Sequence, residues 1–431
     1  MAEPVGISWE TVGPAHVAPA ADPVGLVTDV LKRNVTVGGF IDRAASDDET
    51  VVLIVNDPHR ATCTRVVVSA LASFTAGCRR APRFRALVAT GTHSFGDTER
   101  RAFERSNFAN CGLDIKNIAW HGATNRTELV TVGRCLMHEW LGEARYLLPI
   151  GSVEPHYFAG VTGAHKTVTI GCMAREDIER NHALALSSGS DILSLEGNPV
   201  YDDVVGILGE LTSAGKLILA INVVMRSSAL VAAAAGGALD TLRQLLPAVH
   251  SLYLREVAEP VDLLRLRVPL PLGRNLYQAD KALKNNHWAV RDKGGILLEA
   301  PCPDGVGPDG FLDLLQETAR YDDAVRRVRR EGYRLGDHKA LKLCHLMDPR
   351  YRGVLVALVS SKTFPQRVES AGIRPFRDVA PALDWLTQTV PAPIRQGLIV
   401  EDAACVTVAP SGRGRDVQRQ PRTSGLRDGT A

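Results

Sequence analysis

Residues 51–60 read VVLIVNDPHR, and this stretch decides the fold class. Its first five residues are apolar and mostly β-branched, which is typical of a strand buried on both faces, and a polar loop follows at once. Residues 84–93, FRALVATGTH, repeat the arrangement of an apolar run followed by a polar loop. In open α/β sheets, ligands bind at the carboxyl ends of the strands. We therefore expect both loops to contribute to a ligand site.

Short apolar runs alternate with helix-like segments through the first half of the chain. The apolar runs lie at 51–55, 84–89, 113–119, 145–150 and 217–224, and the helix-like segments at 61–77, 97–108 and 174–187. Such alternation predicts an α/β fold with a Rossmann-like, mainly parallel sheet and helices on both of its faces.

The patterning changes at Glu259-Pro260, after which a new strand begins at Leu263. We therefore predict a second α/β domain and an active site in the crevice between the two domains. The predicted divisions of the chain are 1–258 for the first domain, 259–390 for the second domain, 391–410 for a possible return to the first domain, and 411–431 for a tail. The tail is rich in Gly, Arg, Gln and Ser, and such a composition predicts disorder.

Composition argues against nucleic acid and membrane as partners. The chain has 431 residues, 45% of them apolar, and a net charge of +2. The tail carries five arginines and two aspartates, so the remaining 410 residues sum to −1 and carry no general basic field. The most apolar window, 217–235, is interrupted by Asn222 and Arg226, which argues against a membrane span.

The eight cysteines are scattered, and none of them forms a C-x-x-C pair. We recognise no signal peptide at the start of the chain. The pattern predicts reduced thiols in a cytoplasmic protein.

A second stretch carries the chemistry. Residues 156–171 read HYFAGVTGAHKTVTIG, which places Lys166 between histidines, and His182 follows sixteen residues later. Such residues offer a nucleophilic amine and imidazoles that bind metals or transfer protons. The same stretch nearly satisfies the phosphate-loop pattern G-x-x-x-x-G-K-[ST], but His165 stands where that loop needs glycine before the lysine. We therefore prefer the interpretation that Lys166 is covalently modified to the interpretation that the stretch is the phosphate loop of a nucleoside triphosphatase.

The order of these residues resembles the lactate racemase family, which uses a nickel pincer nucleotide, the Ni(II)-pyridinium-3,5-bisthiocarboxylate mononucleotide. The resemblance implies that Lys166 anchors this cofactor covalently, that His182 binds nickel, and that His156 is a catalytic acid/base. It also implies a cofactor-binding first domain and a substrate-capping second domain.

Three further motifs of that family recur in the same order along the chain. They are Asp57-x-x-Arg60, Thr90-Gly-Thr-His93 and Gln278-x-x-Lys281. The resemblance implies cofactor contacts from Asp57 and Arg60, substrate contacts from Arg60, Gln278 and Lys281, and a second acid/base at His93.

The implied activity is the racemisation or epimerisation of a 2-hydroxy acid by proton-coupled hydride transfer, in a protein that depends on cofactor biosynthesis partners. Lactate-specific members carry a tryptophan in a region that reads GDHK at 336–339 here. That difference suggests a larger or more polar substrate, so the sequence does not name the 2-hydroxy acid.

Two other classes remain open from the residues alone. One is a metal-dependent hydrolase whose metal is bound by His93, His156 and His182. The other is a non-catalytic nucleotide binder. His59 and His165 lie next to motif residues, and the sequence assigns neither of them a role.

Overall fold

The computed structural model of the chain describes residues 6–60, 62–187, 189–307, 309–318, 320–362 and 366–411. The tail predicted to be disordered lies outside these ranges apart from Ser411, whose backbone N–H donates to the carbonyl of Val257.

Strands and helices alternate along the chain. The strands are β1 (Ser8–Val12), β2 (Thr50–Asn56), β3 (Arg83–Ala89), β4 (Ile115–Trp120), β5 (Leu129–Val132), β6 (Cys135–His138), β7 (Tyr146–Ser152), β8 (Pro155–His156), β9 (Gly160–Val161), β10 (Leu217–Ile218), β11 (Ala220–Arg226), β12 (Ala229–Gly236), β13 (Leu254–Val257), β14 (Val261–Arg267), β15 (Val290–Glu299), β16 (Leu355–Val359), β17 (Ile373–Phe376), β18 (Gln396–Val400) and β19 (Thr407–Pro410). The helices are α1 (Pro23–Arg33), α2 (Val35–Ser46), α3 (Thr64–Thr75), α4 (Asp97–Phe108), α5 (Glu139–Glu143), α6 (Ala164–Val168), α7 (Arg175–Ala183), α8 (Pro199–Ser213), α9 (Ala238–Tyr253), α10 (Leu276–Asn286), α11 (Asp313–Glu317), α12 (Tyr321–Glu331), α13 (Asp337–Met347), α14 (Gln366–Ser370) and α15 (Val379–Thr389).

The first sheet has the strand order β12-β11-β7-β2-β3-β4, with β10 paired to β7. Its neighbours are parallel except for the antiparallel pair β11 and β12. β2 lies inside this sheet, and residues 51–55 are fully buried, as expected for a strand covered on both faces. The register aligns Asn56 at the end of β2 with Ala89 at the end of β3. The loops that follow these two strands therefore leave the sheet at the same edge.

The second sheet is entirely parallel and has the order β1-β18-β14-β15-β16-β17. β1 belongs to the range that the sequence assigned to the first domain, yet it pairs with β18 in the second sheet. The segment 391–410 is divided, since β18 lies in the second sheet while β19 pairs with β13 at the end of the first domain. The predicted class of two α/β domains with mainly parallel sheets is confirmed.

The two domains share apolar packing. The largest buried cluster includes Val153 and Val224 of the first domain together with Leu264 and Leu298 of the second. Burial of this apolar surface away from water favours one fixed relative position of the two domains. Among the described residues, none of the helices has both the length and the apolar character needed to cross a lipid bilayer.

Candidate active site

A cleft of about 130 Å³ opens at the carboxyl edge of the first sheet. Six residues singled out from the sequence line it: Asp57, Arg60, His93, His156, Lys166 and His182. The strand ends thus bring together residues that are up to 125 positions apart in the sequence.

The loop after β2 is a turn and not the start of a helix. The sequence predicts a helix-like segment from residue 61, directly after Arg60, but α3 begins only at Thr64. The Asp57 carboxylate accepts a hydrogen bond from the backbone N–H of His59 (2.8 Å), and the Arg60 N–H donates to the Asp57 carbonyl (3.1 Å). An aspartate that binds its own backbone in this way closes a local turn before a helix can begin.

Asp57 also contacts His93. Its Oδ2 atom lies 2.8 Å from Nδ1 of the imidazole, and the ring of His59 packs edge-on against the ring of His93 at 4.8 Å. Burial of Asp57 opposes ionisation, but the hydrogen bond and charge of His93 and the charge of Arg60 hold the pKa of this carboxyl below its usual value. Burial lowers the pKa of His59 to about 4, so that ring is neutral.

The loop that carries Lys166 is built by close backbone approach. Gly163 precedes α6 with φ of 149°, in the region that favours glycine. A Cβ added to Gly151 on β7 would lie 2.4 Å from the backbone nitrogen of Ala164, so the strand and the loop require glycine there. The amide of Asn222 on β11 accepts from the Ala164 N–H (2.8 Å) and donates to the Thr241 hydroxyl (2.9 Å). These contacts fix the start of the helix that bears Lys166.

Asn56 ties the loop after β2 to α6. Its amide nitrogen donates to the hydroxyl of Thr167 (2.9 Å), and its amide oxygen accepts from the hydroxyl of Thr62 (2.8 Å). The loop of Asp57 and the turn of Lys166 are therefore held at a fixed separation.

Lys166 is a buried amine. Burial, followed by the charges of Arg60 and Lys281, places its pKa well below the usual value of a lysine. No carboxylate of the described residues forms an ion pair with its Nζ, which lies 5.4 Å from the centre of the Phe158 ring. A neutral amine is a nucleophile, whereas an ammonium group is not.

His182 lies at the end of α7. Burial, together with the charges of Lys166 and Lys339, lowers its pKa to about 3. Its Nδ1 atom is 3.2 Å from the Asn181 amide oxygen, and Phe158 packs against its ring at 5.0 Å. A neutral imidazole in an oriented ring is the form that binds a borderline metal such as nickel.

His156 lies in the short hairpin of β8 and β9. Its ring stacks on Tyr157 at 5.2 Å and meets Phe158 edge-on at 4.5 Å. Burial and the charges of Lys166 and Arg60 place its pKa well below the usual value of a histidine. The imidazole is therefore neutral in the free protein and able to accept a proton.

Gln278 and Lys281 lie one turn apart on α10 of the second domain. The charge of Lys281 contributes to the lowered pKa of both Lys166 and His156, although Lys281 itself does not line the cleft. Burial, and then the charge of Arg60, lowers the pKa of Lys281 to about 8. The Oε1 atom of Gln278 is buried and has no hydrogen-bond partner among the described residues. Buried polar atoms are normally paired, so this amide is available to a ligand.

The structure also places His165 and the segment 336–339, for which the sequence left the role open. His165 points away from the cleft towards Tyr201 (5.8 Å), and neither of its ring nitrogens has a partner among the described residues. His338, in the segment that lacks the family's tryptophan, is fully buried between the two domains.

The geometry does not support the alternative of a three-histidine metal site. Within the part of the chain that the structure describes, the metal-ligand atoms that converge are those of Asp57, His59 and His93. His156 and His182 do not join that group.

Sequence reasoning missed two asparagines that shape the cleft. Asn56 and Asn222 stand at the end of one apolar strand and inside another, and both hold the loop of Lys166. The signal was present, because a polar residue within an apolar run must find a buried partner.

Comparisons with known proteins match most of the chain. Residues 7–192 match the family model for the lactate racemase N-terminal domain, and residues 268–385 match the model for the lactate racemase C-terminal domain. A lactate racemase of Thermoanaerobacterium thermosaccharolyticum is 24% identical over 297 residues, which cover 67% of this chain and 68% of that protein. A lactate racemase of Lactiplantibacillus plantarum is 25% identical over 295 residues, which cover 64% and 66%.

Solved structures share the fold. The lactate racemase apoprotein of Thermoanaerobacterium thermosaccharolyticum superposes with a TM-score of 0.79 at 21% identity, covering 94% of each chain. A protein from Thermotoga maritima gives a TM-score of 0.68 at 15% identity, covering 91% of this chain and all of that one.

Proposed function

This chain belongs to the lactate racemase family, and from that premise we propose that it racemises or epimerises a 2-hydroxy acid with the help of a covalently bound nickel pincer nucleotide. Family membership makes it an isomerase of the racemase type. The substrate, the cofactor and the residue roles are proposals.

The observation that carries the proposal is the state of Lys166. Its amine is buried, carries a strongly lowered pKa, and shares one cleft with the neutral imidazole of His182. An amine without a carboxylate partner and an imidazole free to bind a metal suit a group that is anchored at one end and ligated at the other. The residues present therefore fit the cofactor that the family resemblance implies.

When bound, this cofactor supplies an electrophilic ring that takes up the Cα hydrogen of the substrate together with two electrons and gives it back. Such chemistry suits a 2-hydroxy acid, since removal of the same hydrogen as a proton would add negative charge beside an ionised carboxylate. Lys166 would hold the group covalently, and His182 would bind its nickel.

The chain's own residues supply charge and proton transfer. Arg60 and Lys281 would bind the substrate carboxylate, since Arg60 lines the cleft and the charge of Lys281 acts on Lys166 there. A guanidinium binds carboxylates through two parallel hydrogen bonds. The Gln278 amide would orient the substrate's hydroxyl or keto oxygen.

Two imidazoles would act as the acid/base groups for the two enantiomers of the substrate. Asp57 holds a proton on Nδ1 of His93, which leaves Nε2 free to take the hydroxyl proton, and the carboxylate stabilises the imidazolium that results. His156 would do the same for the other enantiomer, since it is neutral in the free protein. Each residue acts as a base for one hand and as an acid for the other. Closure of the second domain over the cleft would limit the entry of water.

The proposal extends to partners and compartment. Assembly of the cofactor needs dedicated biosynthesis proteins, and we propose these as partners. We propose the cytoplasm as the compartment, because the eight cysteines are all free thiols.

The test is production together with the cofactor biosynthesis proteins, followed by intact mass, nickel content and a chiral screen of 2-hydroxy acids. The protein should gain a covalent increment that Lys166→Arg lacks, while His182→Gln should keep the increment and lose nickel. Both hands of one 2-hydroxy acid should interconvert without added nicotinamide. An unmodified Lys166 after production with the full assembly machinery, or net oxidation alone, would contradict the proposal.

A further inference from the structure

His338 connects the two domains through a buried imidazole. It lies in the first turn of α13, in the second domain. Its Nε2 atom is 2.9 Å from the hydroxyl of Tyr157, which follows His156 in the first domain. Its Nδ1 atom is 2.7 Å from the hydroxyl of Tyr333, which precedes α13 in the second domain. One ring thus makes one hydrogen bond between the domains and one within its own domain.

A lysine one turn further along α13 strengthens the same contact. The Nζ atom of Lys342 donates to the backbone carbonyls of Tyr157 (3.1 Å) and Ser190 (3.0 Å), both in the first domain. Helix α13 therefore holds Tyr157 by its hydroxyl and by its backbone. An ammonium group that donates to two carbonyls forms stronger hydrogen bonds than neutral partners do.

The residue held in this way supports the cleft. The ring of Tyr157 stacks on the ring of His156 with an angle of 15° between their planes. Phe158 lies against three imidazoles, at 4.5 Å from His156, 5.0 Å from His182 and 4.9 Å from His338. In a close-packed interior, displacement of Tyr157 would shift these rings with it.

We propose that His338 is a positioning residue. Its hydrogen bond to Tyr157 couples the position of the second domain to the positions of His156 and His182. His338 acts through Tyr157 and does not line the cleft. The effect of this hydrogen bond on the hairpin of β8 and β9 does not depend on the reaction. Its consequence for catalysis rests on the proposed function.

Two tyrosine variants form a matched pair. Tyr157→Phe and Tyr333→Phe each remove one hydroxyl from the same imidazole, keep the aromatic ring and leave one ring nitrogen unpaired. Only the first breaks a bond between the domains. A role that is merely structural would give the two variants the same behaviour, whereas a positioning role separates them.

The first measurement uses the full chain without cofactor. Amide hydrogen exchange of residues 155–162 should accelerate about tenfold in Tyr157→Phe and stay within about threefold of the unmodified chain in Tyr333→Phe. Lys342→Met should resemble Tyr157→Phe. Equal exchange in the two tyrosine variants would overturn the proposal.

The second measurement uses protein loaded with cofactor. We expect Tyr157→Phe to lower kcat about tenfold with KM within about threefold, because substrate-binding residues stay in place while a base is displaced. His338→Gln, which keeps a donor and an acceptor, should recover more activity than His338→Phe. Equal kcat values in Tyr157→Phe and Tyr333→Phe would refute the catalytic consequence. Failure of the loaded protein to racemise any 2-hydroxy acid would instead refute the proposed function. The exchange experiment would still decide whether the bond between His338 and Tyr157 positions the hairpin.

Discussion

The Nδ1 atom of His93 lies 2.8 Å from the Oδ2 atom of Asp57, in a partly buried contact at the edge of the first sheet. The other oxygen of the carboxylate accepts the backbone N–H of His59, so the acid cannot turn away from the imidazole. A carboxylate at Nδ1 keeps the proton on that nitrogen and leaves Nε2 as the acceptor. Asp57, to which the family resemblance gives a cofactor contact, thus also contacts a proposed base.

Asp57→Asn should therefore abolish most of the racemase activity. An amide can offer an N–H to Nδ1, which would place the imidazole proton on Nε2 and remove the base. We expect kcat to fall by about 10²-fold or more, with KM within about threefold, by analogy with other carboxylate–histidine pairs. Steady-state racemisation in both directions measures this. Covalent loading and nickel content of the variant should be unchanged, and a kcat within threefold of the parent would contradict the assignment.

The two bases should be separable by enantiomer. If His93 serves one hand and His156 the other, His93→Asn should form 2-oxo acid from only one enantiomer in a single turnover, and His156→Asn from only the opposite one. Chemical trapping of the 2-oxo acid after mixing with each pure enantiomer gives the measurement. The Tyr333→Phe protein, which keeps both bases, serves as the control and should react with both hands. Loss of both half-reactions in each variant would mean that the bases are not divided by face.

The lowered pKa of Lys281 predicts that substrate binding weakens at alkaline pH. Burial lowers its pKa to about 8, so the free protein loses this positive charge as the pH rises through that value. A bound carboxylate favours the charged form, so kcat/KM should fall above pH 8 while kcat falls only at higher pH. Lys281→Arg stays charged and should lack this alkaline fall, whatever its absolute rate. A parent profile that is flat from pH 7 to 10 would show that the ammonium group does not bind the substrate.

Much of the fold could be predicted from the sequence because buried parallel strands leave a strong pattern. The run of residues 51–55 and the loops after β2 and β3 were located correctly, since apolar strands and polar strand ends differ sharply in composition. The start of the helix after Arg60 was placed too early, because Asp57 closes a local turn first.

The candidate site could be assembled only through the resemblance. Nothing in the spacing of residues 57, 93, 156 and 182 requires them to share a cleft, since contacts between distant parts of a chain depend on tertiary packing. The bond between Tyr157 and His338 joins residues 181 positions apart, and no local pattern announces it. A polar residue inside an apolar run, such as Asn222, indicates a buried partner, but only the structure identifies that partner.

Asn222 provides a test of one such residue. Its amide joins the start of the Lys166 helix to Thr241, and the side chain is fully buried. Asn222→Leu would leave the Ala164 N–H and the Thr241 hydroxyl without this partner. We expect the free energy of unfolding to fall by about 1–3 kcal/mol, the usual cost of unpaired buried polar groups. Urea denaturation of the protein without cofactor measures this change.

Thr241→Val separates stability from the support of the anchor. It removes the outer partner of Asn222 but leaves the bond from the Ala164 N–H to the Asn222 amide in place. Both variants should lose stability, yet only Asn222→Leu should lose covalent loading at Lys166, because only that change frees the turn that carries the amine. Intact mass after production with the cofactor biosynthesis proteins gives the comparison. Equal loading in the two variants would mean that the glycine contacts of β7 and the bond from Asn56 to Thr167 keep α6 in place without Asn222.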